Sequence, residues 1–211
     1  MKLADIRIEY SLKSLDIKDI QADPMEQFKI WLHEAMESKV LEVNAMNLAT
    51  VKPDGSPNSR IVLLKGVDHG LLFFTNYEST KGKEIAVSPS VAVTFFWAEL
   101  ERQVRFMGKV EKISAQESDE YFFSRPFSSQ IGAWVSPQSQ IIGSRTFLEE
   151  KEKELSKQLD AKTIKRPEHW GGYRIIPHEV EFWQGRPSRL HDRIWYGKTS
   201  DGSWATERLA P

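Results

Sequence analysis

The sequence predicts an α+β fold: one domain built on a closed or nearly closed, mostly antiparallel β-barrel with peripheral helices. Three observations carry that expectation. Short runs of alternating apolar and polar residues, separated by turn signals, fill the middle of the chain; capped amphipathic stripes lie outside them; and late strands follow with no composition break to set them apart. At 211 residues, with 29 Lys plus Arg against 30 Asp plus Glu and 40% hydrophobic residues, the chain is long enough for a core without staples. Residues 1–22 read as a polar arm and residues 23–211 as a single domain.

The elements follow in order. The arm suggests a short helix near Ile6 to Leu12. Asp23-Pro24-Met25-Glu26 supplies an N-cap, a first-turn proline and a capping-box glutamate, and Phe28, Trp31, Leu32, Ala35 and Met36 form the apolar stripe of a helix over about 24–39. Ala45–Val51, Ser59–Lys65 and Leu71–Asn76 read as a three-strand meander, with turns at Pro53-Asp54-Gly55 and Asp68-His69-Gly70. A short helix from about Ser79 to Val87 precedes strands at Val91–Trp97 and Gln103–Ile113. Helical stretches follow from Ser114 through Phe123, at Phe127–Val135 and at 144–160, then a linker over Lys162–His169. Tyr173–Ile176, Val180–Gln184, Arg193–Tyr196 and Trp204–Arg208 supply the late strands.

Composition excludes several chemistries. With no cysteine, disulfide frameworks, thiolate metal sites and cysteine nucleophiles are ruled out. A net charge of −1 argues against a whole-protein field for nucleic acid or membrane, so any anion site is local. The N-terminal residues lack the apolar core of a signal peptide and no run is long enough to span a bilayer; a cytoplasmic location is the expectation. No GxGxxG opens a helix after a strand, and no GxSxG elbow occurs. Gly197-Lys198-Thr199 fails as a P-loop because Asp192 stands where its first glycine is needed, and His33 lacks the second histidine of a zinc-protease helix.

Polar residues gather in four unusual places. Arg60-Ile61-Val62-Leu63-Leu64-Lys65 is a strand with a cation at each end. Tyr121, Arg125, Ser128 and Ser129 surround the junction of two helices, where free N–H groups favour a phosphate; a capping serine beside a solvated arginine is the alternative. Gln138-Ser139 lies in a loop after Pro137. Trp183 leads into Arg189, His191 and Arg193, which alternation along a strand would put on one face: a site for an anionic, aromatic ligand or a solvent-facing edge with a His–Asp contact. Arg60, Lys65, Lys81, Arg125, Arg189 and Arg193 together could hold two phosphates.

These strings have a familiar order. RIVLLK at 60–65, FFTN at 73–76, ERQV at 101–104, SRP at 124–126, SQIGAWVS at 129–136, WGG at 170–172, EFWQG at 181–185 and RLHDR at 189–193 resemble the pyridoxine/pyridoxamine 5′-phosphate oxidase family over nearly the whole length. The resemblance implies an FMN-binding split-barrel homodimer, with one non-covalent FMN per subunit in clefts between the subunits. It implies oxidation of pyridoxine or pyridoxamine 5′-phosphate to pyridoxal 5′-phosphate, with molecular oxygen reduced to hydrogen peroxide. Carried over, the flavin site is Arg60, Ile61, Val62, Leu63, Leu64, Lys65, Phe74, Thr75, Thr80, Lys81, Gln103, Gln138, Ser139, Trp183 and Arg193, with the flavin phosphate near Arg60, Lys81 and Ser139. Substrate phosphate falls to Lys65, Tyr121, Arg125 and Ser129. Arg189, Leu190 and His191 close over the pyridine ring, with Arg189 and His191 the catalytic candidates and Arg7 and Tyr10 as a lid.

One departure stands out. Many members carry Ser-Arg-Lys where this chain has Ser79-Thr80-Lys81. The lost cation predicts FMN retention weaker by ~1–2 kcal/mol unless Lys83 substitutes. Three rival readings remain: a split-barrel flavoprotein with another substrate, a carrier or sensor of FMN or pyridoxal phosphate, and, weakest, a nucleic-acid module.

Overall fold

The computed structural model describes Leu3 and residues 9–211. Arg7 and the Ile6–Ile8 part of the expected arm helix lie outside the described residues; residues 9–12 are not helical, and a 3₁₀ turn forms instead at Ile17–Asp19.

Helix α1 (Pro24–Glu37) is capped by Asp23, whose carboxylate accepts from the Met25 N–H. The expected capping-box glutamate, Glu26, turns outward to Lys29 instead, and Met36 is exposed at the helix end. Phe28, Trp31 and Ala35 are buried as expected. Phe28 packs on Phe95 and Phe106 at centroid distances of 4.9 and 5.0 Å, and burying such a ring contributes about 1.5–3 kcal/mol.

Among the described residues, nine strands form one curled antiparallel sheet: β1 (Ala45–Val51), β2 (Pro57–Leu63), β3 (Gly66–Val67), β4 (Leu71–Asn76), β5 (Ser90–Trp97), β6 (Arg102–Lys112), β7 (Trp170–Gln184), β8 (Asp192–Lys198) and β9 (Trp204–Leu209). Their order is β2-β1-β5-β6-β7-β4-β3, with β8 and β9 added beside the second half of β7. The sheet is a half-barrel and does not close. Between them the strands wrap one apolar core, while α3 (Ala115–Ser124), α4 (Phe127–Val135) and α5 (Arg145–Gln158) enclose a second around Phe122, Ile131 and Trp170. Helix α2 (Thr80–Val87) follows β4 directly.

Three strand expectations need correction. Strand β2 ends at Leu63 because Leu64 bonds back to Asn44 and Lys65 passes to Leu72, which opens the short β3–β4 hairpin. The two strands expected at 173–176 and 180–184 are one, β7, in which Pro177 is tolerated because it sits at a bulge opposite Gly108. Arg189 is not on a strand: it ends a 3₁₀ turn at Pro187–Arg189, so alternation does not align it with His191 and Arg193.

Candidate active site

A cleft of about 360 Å³ opens between β2, β4, α2 and α3. Arg60, Lys65, Lys81 and Arg125 line it together with Ile61, Val62, Leu63, Phe74, Thr75, Tyr121, Gln138 and Trp170. Four cations and no carboxylate make its wall strongly anion-seeking. Two carbonyl-side features prepare it further. Lys81 Nζ donates to Gln138 Oε1 at 2.9 Å and Thr75 Oγ1 donates to the same oxygen at 3.1 Å, tying β4, α2 and the loop after α4. Burial, with the nearby Arg60 charge, holds the Lys81 ammonium below the usual lysine range against an opposing pull from Glu84.

Arg60 is anchored behind the wall. Its Nη1 donates to Leu48 O at 3.2 Å and Thr50 Oγ1 at 2.5 Å, and its Nη2 to Glu84 Oε2 at 3.0 Å. On the opposite side Phe74 and Tyr121 stack at 3.8 Å, Trp170 lies nearly parallel to Tyr121 at 7°, and the Arg125 guanidinium rests 4.6 Å over the Trp170 ring. Arg125 Nη1 is buried with no hydrogen-bond partner among the described residues. Burial lowers the Arg125 pKa, with Tyr121 opposing. A smaller cavity of about 220 Å³ adjoins it, sharing Arg125, Gln138 and Trp170 and adding Ser129.

A second group gathers elsewhere on the sheet. Gln103 pairs across to Trp183, and Trp183 to Arg193, so the three form one lateral row over β6, β7 and β8. The Trp183 and His191 rings lie 4.6 Å apart, and Tyr10 of the arm packs edge-on against Trp183 at 5.7 Å and against His191 at 5.9 Å. His191 Nδ1 accepts from the Arg186 N–H, which leaves Nε2 as the ring nitrogen free to meet a ligand. Arg193 forks onto Glu181 at 2.8 and 3.1 Å, and that contact raises its pKa despite burial.

Comparison with known proteins decides what this geometry belongs to. Residues 32–158 match the family model described as pyridoxamine 5′-phosphate oxidase, and residues 170–211 match the pyridoxine 5′-phosphate oxidase C-terminal dimerisation region. Proteins named pyridoxine/pyridoxamine 5′-phosphate oxidase from Microcystis aeruginosa and Burkholderia lata are 51% and 55% identical, each aligned over 99–100% of this chain and 99% of its own length. The chain belongs to the pyridoxamine 5′-phosphate oxidase family. Among solved structures, PhzG from Burkholderia lata, in complex with tetrahydrophenazine-1-carboxylic acid, superposes with a TM-score of 0.88 at 30% identity, covering 95% of this chain and 100% of that one. A pyridoxamine 5′-phosphate oxidase-related, FMN binding protein from Nostoc punctiforme, at 18% identity and a TM-score of 0.73, shares the fold, covering 90% of this chain and 98% of its own. This chain is therefore nearer to the oxidase of Burkholderia lata than to that organism's PhzG.

Set beside the pattern expected of a pyridoxamine 5′-phosphate oxidase family member, the cleft unites Arg60 to Leu63, Lys65, Phe74, Thr75, Lys81, Tyr121, Arg125 and Gln138. Leu64 is instead buried in the core, and Thr80 and Ser139 are exposed beyond the wall, Ser139 with a left-handed backbone at φ 70°. Gln103, Trp183, Arg193, Arg189, Leu190 and His191 stand apart in the second group, with Leu190 exposed. Sequence reasoning missed Trp170 as a wall of the cleft, Glu84 and Glu181 as buried anchors of Arg60 and Arg193, and Gln130, whose Nε2 donates to the Arg125 carbonyl at 2.8 Å. Glu84 had a readable signal: it sits beside Ile85 on the face of α2 that its neighbours bury.

Proposed function

We propose that the cleft binds FMN and a phosphorylated pyridine side by side, and that the chain oxidises pyridoxine and pyridoxamine 5′-phosphates to pyridoxal 5′-phosphate, the activity named in its full-length relatives. The observation that carries the reading is the acid-free wall with an orphaned Arg125 Nη1: a buried guanidinium hydrogen without a partner costs stability unless a ligand oxygen accepts from it. Bound there, FMN would supply a two-electron acceptor for the 4′ carbon with molecular oxygen as the final oxidant, reduced to hydrogen peroxide; the alcohol substrate gives the aldehyde directly, and the amine gives an imine that takes up water and releases ammonia. Arg60 and Lys81 hold the flavin phosphate. Lys65, Tyr121, Arg125 and Ser129 hold the substrate phosphate, and Arg125 is fixed for that task by its seat on Trp170.

The second group completes the site from another subunit. Trp170, which lines the cleft, and Trp183 stand near opposite ends of β7, on the order of 40 Å apart along the strand at the usual rise per residue. A homodimer brings Gln103, Trp183 and Arg193 of one protomer to the cleft of the other, in keeping with the match of residues 170–211 to a dimerisation region. Arg189 then covers the pyridine ring, and His191, with Nδ1 occupied by Arg186, offers Nε2–H to the reacting side. Tyr10, already packed on Trp183 and His191, supports the arm as a lid.

Anaerobic addition of pyridoxine 5′-phosphate to the FMN-loaded protein tests the reading. Bleaching of the flavin band, followed by recovery on admission of air, is the expected result. A flavin that stays oxidised in the presence of bound ligand would favour a carrier.

A further inference from the structure

Among the described residues, Glu84 is the carboxylate that backs the cleft wall, through Arg60. Its side chain is 4% exposed, and every acceptor position it offers toward the sheet is used: Asn58 Nδ2 donates to Oε1 at 2.9 Å, while Thr50 Oγ1 at 2.6 Å and Arg60 Nη2 at 3.0 Å donate to Oε2. A carboxylate sealed in a core is poor evidence for stability, because desolvating two charges offsets most of what their attraction returns. What distinguishes this pair is its other end. Arg60 is 19% exposed and lines the cleft, whereas Glu84 does not.

The donor count on Arg60 shows what the pair does. A guanidinium carries five N–H donors. Both Nη1 donors are taken, by Leu48 O and Thr50 Oγ1, and one Nη2 donor is taken by Glu84. Nε–H and the second Nη2–H have no protein partner among the described residues. Those two lie on one edge of the guanidinium, the edge that grips an anion in bidentate fashion.

We propose that Glu84 is a positioning residue of the flavin-phosphate subsite: seated on Thr50 and Asn58, it holds the inner half of the Arg60 guanidinium so that the Nε–Nη2 edge is presented to the phosphate. This rests on reading the cleft as the FMN site. The arrangement also bears on Thr80, which brings no charge to the subsite. With that cation absent, phosphate binding depends on how well Arg60 and Lys81 are oriented, and Glu84, one helical turn beyond Lys81 on α2, is paired to Arg60.

Flavin binding to the full-length, flavin-stripped protein tests this, with FMN compared against riboflavin, which lacks the phosphate. Glu84→Gln is expected to raise the FMN dissociation constant by about tenfold or more, the equivalent of one charge-assisted hydrogen bond, while leaving the riboflavin constant unchanged. In an Arg60→Ala background the same substitution should have no further effect on FMN. Asn58→Ala, which removes one Glu84 contact at a half-buried position, gives a second and milder readout should Glu84→Gln fold poorly: a smaller loss, again confined to FMN. Unchanged or tighter FMN binding by Glu84→Gln, or equal weakening of FMN and riboflavin, would overturn the proposal. Failure of the unsubstituted protein to bind FMN would instead overturn the reading beneath it.

Discussion

Glu84 shows how a single residue ties fold to acid sensitivity. Burial alone pushes its carboxyl up, but Thr50, Asn58 and Arg60 outweigh burial and hold it below its ordinary value of 4.5. Because its folded-state value is depressed, the stability it contributes is complete above about pH 4.5 and is lost as the pH falls through the lower folded value. The stability difference between the unsubstituted chain and Glu84→Gln, measured by denaturant titration, should therefore shrink on acidification. Thr80 makes a different residue-scale prediction. It stands exposed at the first position of α2, next to Lys81, so Thr80→Arg should tighten FMN by ~1–2 kcal/mol, and an unchanged dissociation constant would assign it no part in the phosphate subsite. Ser188 and Arg189 occupy the left-handed region in succession, at φ 57° and 61°. Asparagine tolerates that region better than serine, so Ser188→Asn should raise stability by up to about 1 kcal/mol without altering flavin binding, as a urea midpoint would show.

At the scale of elements, β7 sets the shape of the sheet. Its first half pairs with β4 and its second with β8, while β6 runs along both. The junction is the bulge where Gly108 faces Pro177, and it has no room for a side chain: a Cβ on Gly108 would fall 2.4 Å from the Ile176 carbonyl oxygen. Gly108→Ala should cost about 1–3 kcal/mol by thermal or urea unfolding, because backbone must shift to admit it. Pro177 explains why the pattern of residues suggests two strands here: proline reads as a break, and only the pairing with β6, which resumes across a bulge at His178 of β7, shows that the strand continues. Helix α2 is the opposite case. Its Ser79 cap is legible from sequence and is found, accepting from Gly82, so the element that presents Lys81 follows from local chemistry alone.

For the whole molecule, the proposed completion of the cleft by Gln103, Trp183 and Arg193 of a second subunit predicts that flavin retention depends on association. Dilution below the dimer dissociation range should release FMN in step with the loss of dimer, measured by sedimentation alongside flavin fluorescence. Trp183→Ala should weaken FMN while leaving a single protomer's fold intact, since Trp183 is only half-buried in the isolated chain. Much of this was present in the sequence. The helices announced themselves through caps and stripes, the meander through turns, and the family through ordered strings, of whose cations Arg60, Lys65 and Arg125 are found in the cleft while Arg189 and Arg193 stand apart from it. Local covalent chemistry and 3.6- or 2-residue periodicity determine such features, and they act between near neighbours along the chain. Tertiary structure decided the rest. It set Arg60 on Glu84 across 24 positions, laid Arg125 over Trp170, left Arg125 Nη1 without a partner among the described residues, and put Trp183 at the end of β7 away from the cleft. These depend on which strands lie side by side and which donors burial leaves unmet, quantities that exist only once the sheet has curled.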